Sequence, residues 1–167
     1  MLVILSGLPG TGKTTIAREL ARRLNAVHVR IDSIEQALRD SGLLPGPMDD
    51  AGYRVGYAIA ADNLCVGRTV IADSVNPILL TRDHWVSVAK AAQQEAVEAE
   101  VTCSDVAEHQ RRVETRAGDI PGHRVPTWQE VVTREYHSWN RQHLVIDTAT
   151  MTVTQAVAFI VNEIDAI

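Results

Sequence analysis

Nine residues near the beginning of the chain limit its possible folds more than any other stretch. Residues 7–15 read GLPGTGKTT, and they directly follow the apolar run LVIL at residues 2–5. Gly7, Gly12, Lys13 and Thr14 complete the pattern G-x-x-x-x-G-K-[ST], which chance would produce in a chain of this length about once in 200 sequences. The pattern predicts a buried strand, a tight glycine-rich turn and the start of a helix.

In this strand–loop–helix context such a stretch binds the phosphates of a nucleotide. Glycine lets the loop turn its backbone N–H groups inward, and the N-terminus of the helix adds partial positive charge. We expect Lys13 to reach the β- and γ-phosphates, the Thr14 hydroxyl to bind magnesium and Thr15 to contact the α-phosphate. The predicted nucleotide-binding residues are Gly7, Leu8, Pro9, Gly10, Thr11, Gly12, Lys13, Thr14 and Thr15. The alternative is a glycine-rich turn that precedes a helix by coincidence.

Short apolar runs alternate with segments of helical periodicity along the rest of the chain. The predicted strands are residues 2–6, 26–30, 69–73, 96–103 and 144–147. The residues predicted to share one helical face are Ile16, Ala17, Leu20, Ala21 and Leu24 in one segment, and Tyr57, Ala61, Leu64 and Cys65 in another. This alternation is typical of a parallel sheet covered by helices. Because the chain has 167 residues, we expect a single domain over residues 1–167.

The composition is that of a soluble globular protein with an acidic balance. Hydrophobic residues make up 46% of the chain, charged residues make up 22%, and the formal net charge is -5. This charge argues against a nucleic acid partner, because binding to a polyanion depends on clustered Lys and Arg. Cys65 and Cys103 form no CxxC pair, and no apolar run approaches the roughly 18 to 20 residues of a membrane span. The sequence therefore predicts a cytoplasmic protein without a membrane partner, and it does not indicate an oligomeric state.

The second lysine of the chain bears on the choice of nucleotide base. Besides Lys13 the chain has only Lys90, whereas proteins specific for guanine carry the signature [NT]-K-x-D. Lys90 lies in the sequence AKAA, so this signature is absent. ATP is the expected nucleotide, and the sequence leaves relaxed base choice open.

The predicted third strand ends in a carboxylate. Residues 69–73 read TVIAD, which places Asp73 at the carboxyl edge of the sheet, where we expect it to bind magnesium together with Thr14. The next residue is Ser74, whereas motor-type ATPases usually place a Glu there to activate water. This difference argues against an ATP-driven machine. The alternative for Asp73 is a carboxylate that caps the turn into residues 74–76.

The predicted second strand brings another carboxylate to the same edge. Residues 29–33 read VRIDS, and Asp32 is a candidate base that orients an acceptor hydroxyl and takes its proton. The local alternative is equally supported by the residues alone, because Asp32 with Glu35 has the spacing of a helix N-cap and its partner. One aspartate can serve both roles.

Two segments rich in proline and glycine predict surface loops. They are residues 41–47, which read SGLLPGP, and residues 117–126, which read AGDIPGHRVP. Thr127 and Glu130 have capping-box spacing, so a helix should begin directly after the second loop.

Arginines are dense in the helix predicted at residues 105–116, which leads into the second loop. Arg112 and Arg116 lie one turn apart, and we expect a mobile lid over about residues 112–127. On closing over ATP, one guanidinium would lie against the adenine and the other on the phosphates, where it would neutralise charge in the transition state. In the alternative interpretation this helix face is solvated, and Glu108 pairs with a neighbouring arginine.

Residues 7–15, the pair Asp32-Ser33, Asp73 and the pair Arg112/Arg116 together resemble the P-loop small-molecule kinases. This group includes chloramphenicol phosphotransferase, gluconate kinase, adenylylsulfate kinase, zeta toxins and the kinase part of polynucleotide kinase. The resemblance covers most of the chain. It implies a three-layer α/β fold of the P-loop NTPase type, with a five-stranded parallel sheet, helices on both faces and a closing lid, and it implies ATP and Mg²⁺. In chloramphenicol phosphotransferases an Asp-Ser pair also follows the second strand and its Asp is the catalytic base, which favours that role for Asp32.

One position departs from the polynucleotide kinases. Those enzymes carry an arginine three residues after the base to bind the acceptor phosphate, and here that residue is Glu35. The expected function is therefore transfer of the γ-phosphate of ATP to a hydroxyl of a small molecule, with Lys13, Asp32 and Arg116 as catalytic residues. The alternatives are a 5'-hydroxyl polynucleotide kinase and a nucleotide-binding regulatory module that transfers no phosphate.

Overall fold

The computed structural model describes residues 1–42 and 48–167, and in these ranges strands alternate with helices as the sequence predicts. The strands are β1 Leu2–Ser6, β2 Val27–Arg30, β3 Val70–Asp73, β4 Ala96–Thr102 and β5 Leu144–Asp147. The helices are α1 Lys13–Leu24, α2 Ile31–Asp40, α3 Ala51–Cys65, α4 Leu79–Ala91, α5 Val106–Thr115, α6 Trp128–Val132 and α7 Val153–Asp165. No strand end differs from its predicted position by more than one residue.

The two predicted loops have different outcomes. Residues 117–126 contain no helix or strand, and the capping box that Thr127 and Glu130 form at the start of α6 is confirmed. Of the loop predicted at residues 41–47, residues 43–47 lie outside the described residues.

Over the described ranges, the strands form one five-stranded sheet in the order β2-β3-β1-β4-β5, and all neighbouring strands are parallel. All five residues of β1 are buried, as expected for a central parallel strand covered on both faces. The chain leaves β1 towards one side of the sheet and later returns to its other side with β4. Such a reversal opens a crevice at the carboxyl end of β1, where residues 7–15 follow.

Helices cover both faces of the sheet. On one face α1 and α7 pack against side chains such as Val3 and Leu5, and on the other face α3 and α4 pack against Leu2 and Ile4. Trp85 of α4 is completely buried in the second cluster. Because successive residues of β1 alternate between the two clusters, the domain has a helix–sheet–helix arrangement, and the predicted three-layer architecture is confirmed.

The predicted buried face of α1 is confirmed, whereas that of α3 is wrong in part. Cys65 is exposed, and the buried positions of α3 are Gly52, Gly56, Ala60 and Leu64. A Cβ atom at Gly56 would overlap the side chain of Ile31, so the missing side chain lets α3 pack closely against the start of α2. The periodicity of large apolar residues missed this stripe because half of its members are glycines.

No helix in the described part of the chain combines the length and the apolar character that a membrane span requires.

Candidate functional site

A cavity of about 1020 Å³ opens at the carboxyl ends of the strands. It brings together most of the residues predicted to act on a nucleotide. Those that line it are Pro9, Gly10, Gly12, Lys13, Thr14, Thr15, Asp32, Asp73, Arg112 and Arg116. The cavity is not lined by Gly7, Leu8 and Thr11, which belong to the same loop.

Residues 7–12 form a tight loop whose backbone requires glycine at its two ends. Gly7 and Gly12 have φ values of 136° and 99°, which side chains rarely permit, and a Cβ atom at Gly7 would overlap the backbone of Val101. Gly12 is the N-cap of α1, so this helix begins at the cavity wall. A helix N-terminus behind a glycine-rich loop is the backbone arrangement that binds phosphate groups.

Two side chains from distant segments hold the loop in place. Nε2 of His109 lies 2.8 Å from the carbonyl oxygen of Pro9, and the Thr148 hydroxyl donates to the carbonyl oxygen of Thr11 at 2.8 Å. Neither contact could be predicted from the sequence, because the partners lie far apart along the chain.

Lys13 is 7% exposed, and its Nζ donates a hydrogen bond to the carbonyl oxygen of Leu8 at 2.8 Å. Burial lowers the pKa of this ammonium group from 10.5 to about 8, although Asp73 and Asp32 act in the opposite direction. A cation that is desolvated beside a cavity gains from a bound anion. The position and the pKa of Lys13 therefore both suit the binding of a phosphate.

Asp73 ends β3 and is 3% exposed. Its Oδ2 lies 3.1 Å from Nε2 of His28 on the neighbouring strand β2. Thr14 and Asp73 both line the cavity and offer hydroxyl and carboxylate oxygens, which suit Mg²⁺. The residues that the structure describes contain no cluster of three or more His, Cys, Asp or Glu side chains able to hold a metal ion. A pair of oxygen ligands nevertheless fits magnesium, because this ion usually keeps several waters and takes oxygens from substrate phosphates.

Asp32 lies in the first turn of α2, not at its N-cap. The N-cap is Arg30, no side chain caps this helix, and the Asp32 side chain is 38% exposed at the cavity. The capping alternative is therefore wrong, because β2 runs directly into α2 and the helix begins two residues earlier than the Asp32–Glu35 spacing predicts. The carboxylate of Asp32 lies 3.9 Å from Nη2 of Arg30 and is open to the cavity.

Arg112 reaches across to the segment that follows β5. Its Nη1 donates to the hydroxyl of Thr148 at 2.8 Å and its Nη2 to the carbonyl oxygen of the same residue at 3.1 Å. Nε of Arg112 also pairs with Glu108, so the ion pair of the alternative interpretation exists as well. A second cavity of about 440 Å³ lies beside Arg112, residues 148–153 and Gly12, next to the main cavity.

Arg116 ends α5 as its C-cap residue and lines the main cavity. Arg134 also lines it, although sequence reasoning did not single this residue out. Burial is the main cause of the lowered pKa of Lys13. The positive charges of Arg116 and Arg134 lower this pKa further, whereas the nearby carboxylates raise it. Within residues 1–42 and 48–167 neither Arg116 nor Arg134 forms an ion pair, so both are available to an anion in the cavity.

The loop of residues 116–127 is tied to the sheet side of the cavity by Asp119. Arg30 donates to both oxygens of this carboxylate, from Nη1 at 2.7 Å and from Nη2 at 2.9 Å, and Arg18 of α1 donates to Oδ2 at 2.5 Å. Arg30, assisted by Arg18, holds the pKa of Asp119 well below its ordinary value. Sequence reasoning missed this three-residue cluster, because its members come from separate elements.

One wall of the cavity between α2 and α3 contains Glu35 and Tyr53. Burial raises the pKa of Glu35, which pairs with Arg39 at 3.3 Å. The hydroxyl of Tyr53 accepts a hydrogen bond from the backbone N–H of Asn76 at 3.1 Å. This wall is therefore polar and lies next to the carboxylate of Asp32.

Comparison with known proteins gives a family match and one extended relative. The family model AAA_33, described as an AAA domain, matches residues 2–155. The chain is 29% identical over 156 residues to a shikimate kinase of Corynebacterium glutamicum, and the match covers 84% of this chain and 88% of that protein.

Solved structures share the fold over nearly the whole chain. The APS kinase of Mycobacterium tuberculosis, solved with AMPPNP and APS, superposes with a TM-score of 0.71 at 16% identity and covers 98% of this chain and 96% of its own. Kti12 of Chaetomium thermophilum, solved with ADP-AlF3, superposes with a TM-score of 0.69 at 22% identity, and the shares are 97% and 98%. These similarities confirm the P-loop fold that the sequence predicts.

Proposed function

The chain belongs to the AAA_33 family, and on this premise we propose that it is an ATP-dependent kinase that transfers the γ-phosphate of ATP to a hydroxyl group of a small molecule. One observation carries the proposal. A single cavity is lined both by the phosphate-binding loop with Lys13 and by the open carboxylate of Asp32. A hydroxyl that binds at Asp32 can therefore face a phosphate that binds at Lys13.

ATP would bind across the two neighbouring cavities. Lys13, Thr14 and Thr15 contact its phosphates, and the adenine occupies the smaller cavity against Arg112. The hydrogen bonds from Arg112 to Thr148 support this assignment. They fix the position of the guanidinium and leave a face of it free to stack on the adenine.

Magnesium is proposed to bind at Thr14 and Asp73. When bound there, the ion would supply positive charge to the phosphates of the nucleotide. His28 supports this assignment, since its contact with one oxygen of Asp73 orients the carboxylate.

The chain's own residues supply orientation, a base and positive charge for transfer. Asp32 accepts the proton of the acceptor hydroxyl, which then attacks the γ-phosphorus in line with the leaving oxygen of ADP. Lys13 and Arg116 stabilise the charge that develops on the transferred group and on ADP. Exclusion of water by residues 112–127, the proposed lid, favours the acceptor over hydrolysis.

The acceptor is proposed to be a small polar molecule. It would lie between Asp32 and the polar wall with Glu35 and Tyr53, and Glu35 stands where a polynucleotide kinase carries the arginine that binds the acceptor phosphate. We further propose that residues 1–167 form one kinase domain in the cytoplasm, which the two free cysteines support.

The proposal is tested with a panel of hydroxylated metabolites, nucleosides and antibiotics, with shikimate included because of the curated relative. The readout is release of ADP that depends on the acceptor. Asp32→Asn should keep ATP affinity and the unfolding temperature and should lower turnover by about 100-fold or more, the range of a positioned general base. Unchanged turnover in Asp32→Asn would overturn the role of Asp32.

The same panel separates the alternatives. Tight ATP binding without release of ADP in response to any acceptor would indicate a regulatory module, and activity only on 5'-hydroxyl oligonucleotides would indicate a polynucleotide kinase.

A further inference from the structure

Arg30 is a buried arginine that faces the cavity beside the candidate base. It ends β2, is 8% exposed, and uses Nη1 and Nη2 on the carboxylate of Asp119. Its Nε is buried and has no hydrogen-bond partner among the described residues. Because a buried guanidinium is costly unless it is paired, this position is suited to holding an anion.

Arg18 converges on the same anion from a second rigid element. It lies on α1, one turn after Thr14, and reaches the same oxygen of Asp119. Asp119, in contrast, belongs to a segment without helix or strand, and its side chain is 39% exposed. The Arg18 side chain is itself 45% exposed, but both arginines extend from regular elements, whereas their carboxylate partner comes from a loop and is the part that a ligand can replace.

We propose that Arg18 and Arg30 form the subsite for an anionic group of the phosphoryl acceptor, and that the acceptor is a hydroxy acid whose carboxylate replaces that of Asp119. The inference rests on the proposed function, since the hydroxyl of the same molecule faces Asp32. A carboxylate is favoured because the planar fork of Arg30 already binds one through two parallel hydrogen bonds.

The geometry also limits the length of the acceptor. Nη2 of Arg30 lies 3.9 Å from Oδ2 of Asp32. With hydrogen bonds of about 2.8 Å to each, the acid oxygen and the hydroxyl oxygen of the acceptor lie at most about 9.5 Å apart. That limit admits short hydroxy acids and excludes a hydroxyl at the far end of a long extended chain. The other acid of this wall, Glu35, is paired with Arg39 and leaves the subsite net positive.

Asp119 acts in this scheme as an internal competitor. It neutralises the two arginines while no acceptor is bound, and the incoming acid displaces it together with residues 116–127. Removal of its charge by Asp119→Asn should therefore strengthen binding of the acceptor, which is the opposite of what a purely structural tether would do.

The test compares short hydroxy acids with their uncharged amides, for example glycerate with glyceramide and shikimate with shikimamide. Binding to the Asp32→Asn variant with AMPPNP is followed by calorimetry, and turnover of the otherwise native protein by ADP release. Arg30→Gln should weaken binding of the acids about 10- to 100-fold, the range for a lost charged hydrogen-bond pair, and should leave the amides unchanged. Asp119→Asn should lower the KM of the acids about three- to tenfold while the KM of ATP stays constant.

Arg22→Gln is the matched control, because Arg22 lies on the same helix as Arg18 in an exposed ion pair with Glu19. It should change none of these values. If Arg30→Gln does not fold, Asp119→Asn carries the test alone, since Asp119 lies in an exposed loop. The subsite would be overturned if Arg30→Gln weakened the binding of acids and amides equally or if no short hydroxy acid bound. A higher KM for the acids in Asp119→Asn would overturn it as well.

The outcome separates the subsite from the proposed function. Binding of the acids that depends on Arg30, without phosphate transfer, would support the subsite and contradict the kinase. Transfer only to uncharged alcohols would support the kinase and contradict the subsite.

Discussion

Replacement of Lys13 by Met should stabilise the protein without nucleotide while it abolishes binding of ATP. Lys13 is buried, and burial lowers its pKa from 10.5 to about 8. At pH 7 the group is charged both in the folded and in the unfolded protein, so the folded state bears the cost of its desolvation. Methionine has a similar length and carries no charge.

The size of the effect follows from two opposing contributions. A pKa that falls from 10.5 to about 8 corresponds to about 3 kcal/mol of destabilisation by the charged lysine at pH 7. The hydrogen bond from Nζ to the carbonyl oxygen of Leu8 offsets about 2 kcal/mol, as a bond from a charged donor. Lys13→Met should therefore raise the free energy of unfolding by about 1 kcal/mol at pH 7.

The dependence on pH gives a sharper test than the value at one pH. The folded pKa lies below the unfolded one, so between pH 8 and 10.5 the folded parent binds fewer protons than the unfolded parent, and its stability rises with pH. The advantage of Lys13→Met should therefore be constant below about pH 8 and should shrink between pH 8 and 10.5. Urea unfolding across pH 6 to 10.5 measures this, and Lys90→Met at an exposed position is the control. A variant that is less stable than the parent at pH 7, or a difference that does not change with pH, would refute the reasoning.

Three further predictions concern other parts of the site and core. Arg112→Met should raise the Kd of ATP about tenfold in a fluorescent-nucleotide titration, because the base loses its contact beside Thr148; an unchanged Kd would contradict the adenine position. His28→Phe should raise the magnesium concentration for half-maximal turnover about 10-fold or more, because Asp73 loses its orienting partner, and an unchanged requirement would contradict that role. Gly56→Ala should lower the free energy of unfolding by about 1 to 3 kcal/mol in urea, because the added methyl group overlaps Ile31.

The strands and the nucleotide-binding loop are predictable from the sequence because their signals are local. Residues 2–15 contain a complete motif in which the strand, the turn and the helix start are neighbours along the chain. The capping box of Thr127 is equally local. In contrast, Cys65 is exposed because the buried stripe of α3 contains glycines, which a count of apolar side chains does not register.

Contacts between distant segments could not be predicted in the same way. Asp119 meets Arg30 and Arg18 at separations of 89 and 101 residues, and nothing in an exposed-looking loop marks an aspartate that pairs with a buried arginine. The contact between His28 and Asp73 needed the strand order as well. Both strands were expected to end at the same edge, but only the pairing of β2 with β3 makes them neighbours. The predicted start of α2 is wrong by two residues for a local reason, since no loop separates this helix from β2.

The most direct test of phosphate transfer follows the oxygen atoms of ATP. ATP whose γ-phosphoryl oxygens carry heavy oxygen is incubated with the protein and the acceptor panel, and the products are identified by mass spectrometry. We expect an acceptor that gains the labelled phosphoryl group on its own hydroxyl oxygen, and loss of this product in Asp32→Asn. Labelled inorganic phosphate that contains one oxygen from water, formed at the same rate with and without every acceptor, would contradict this expectation.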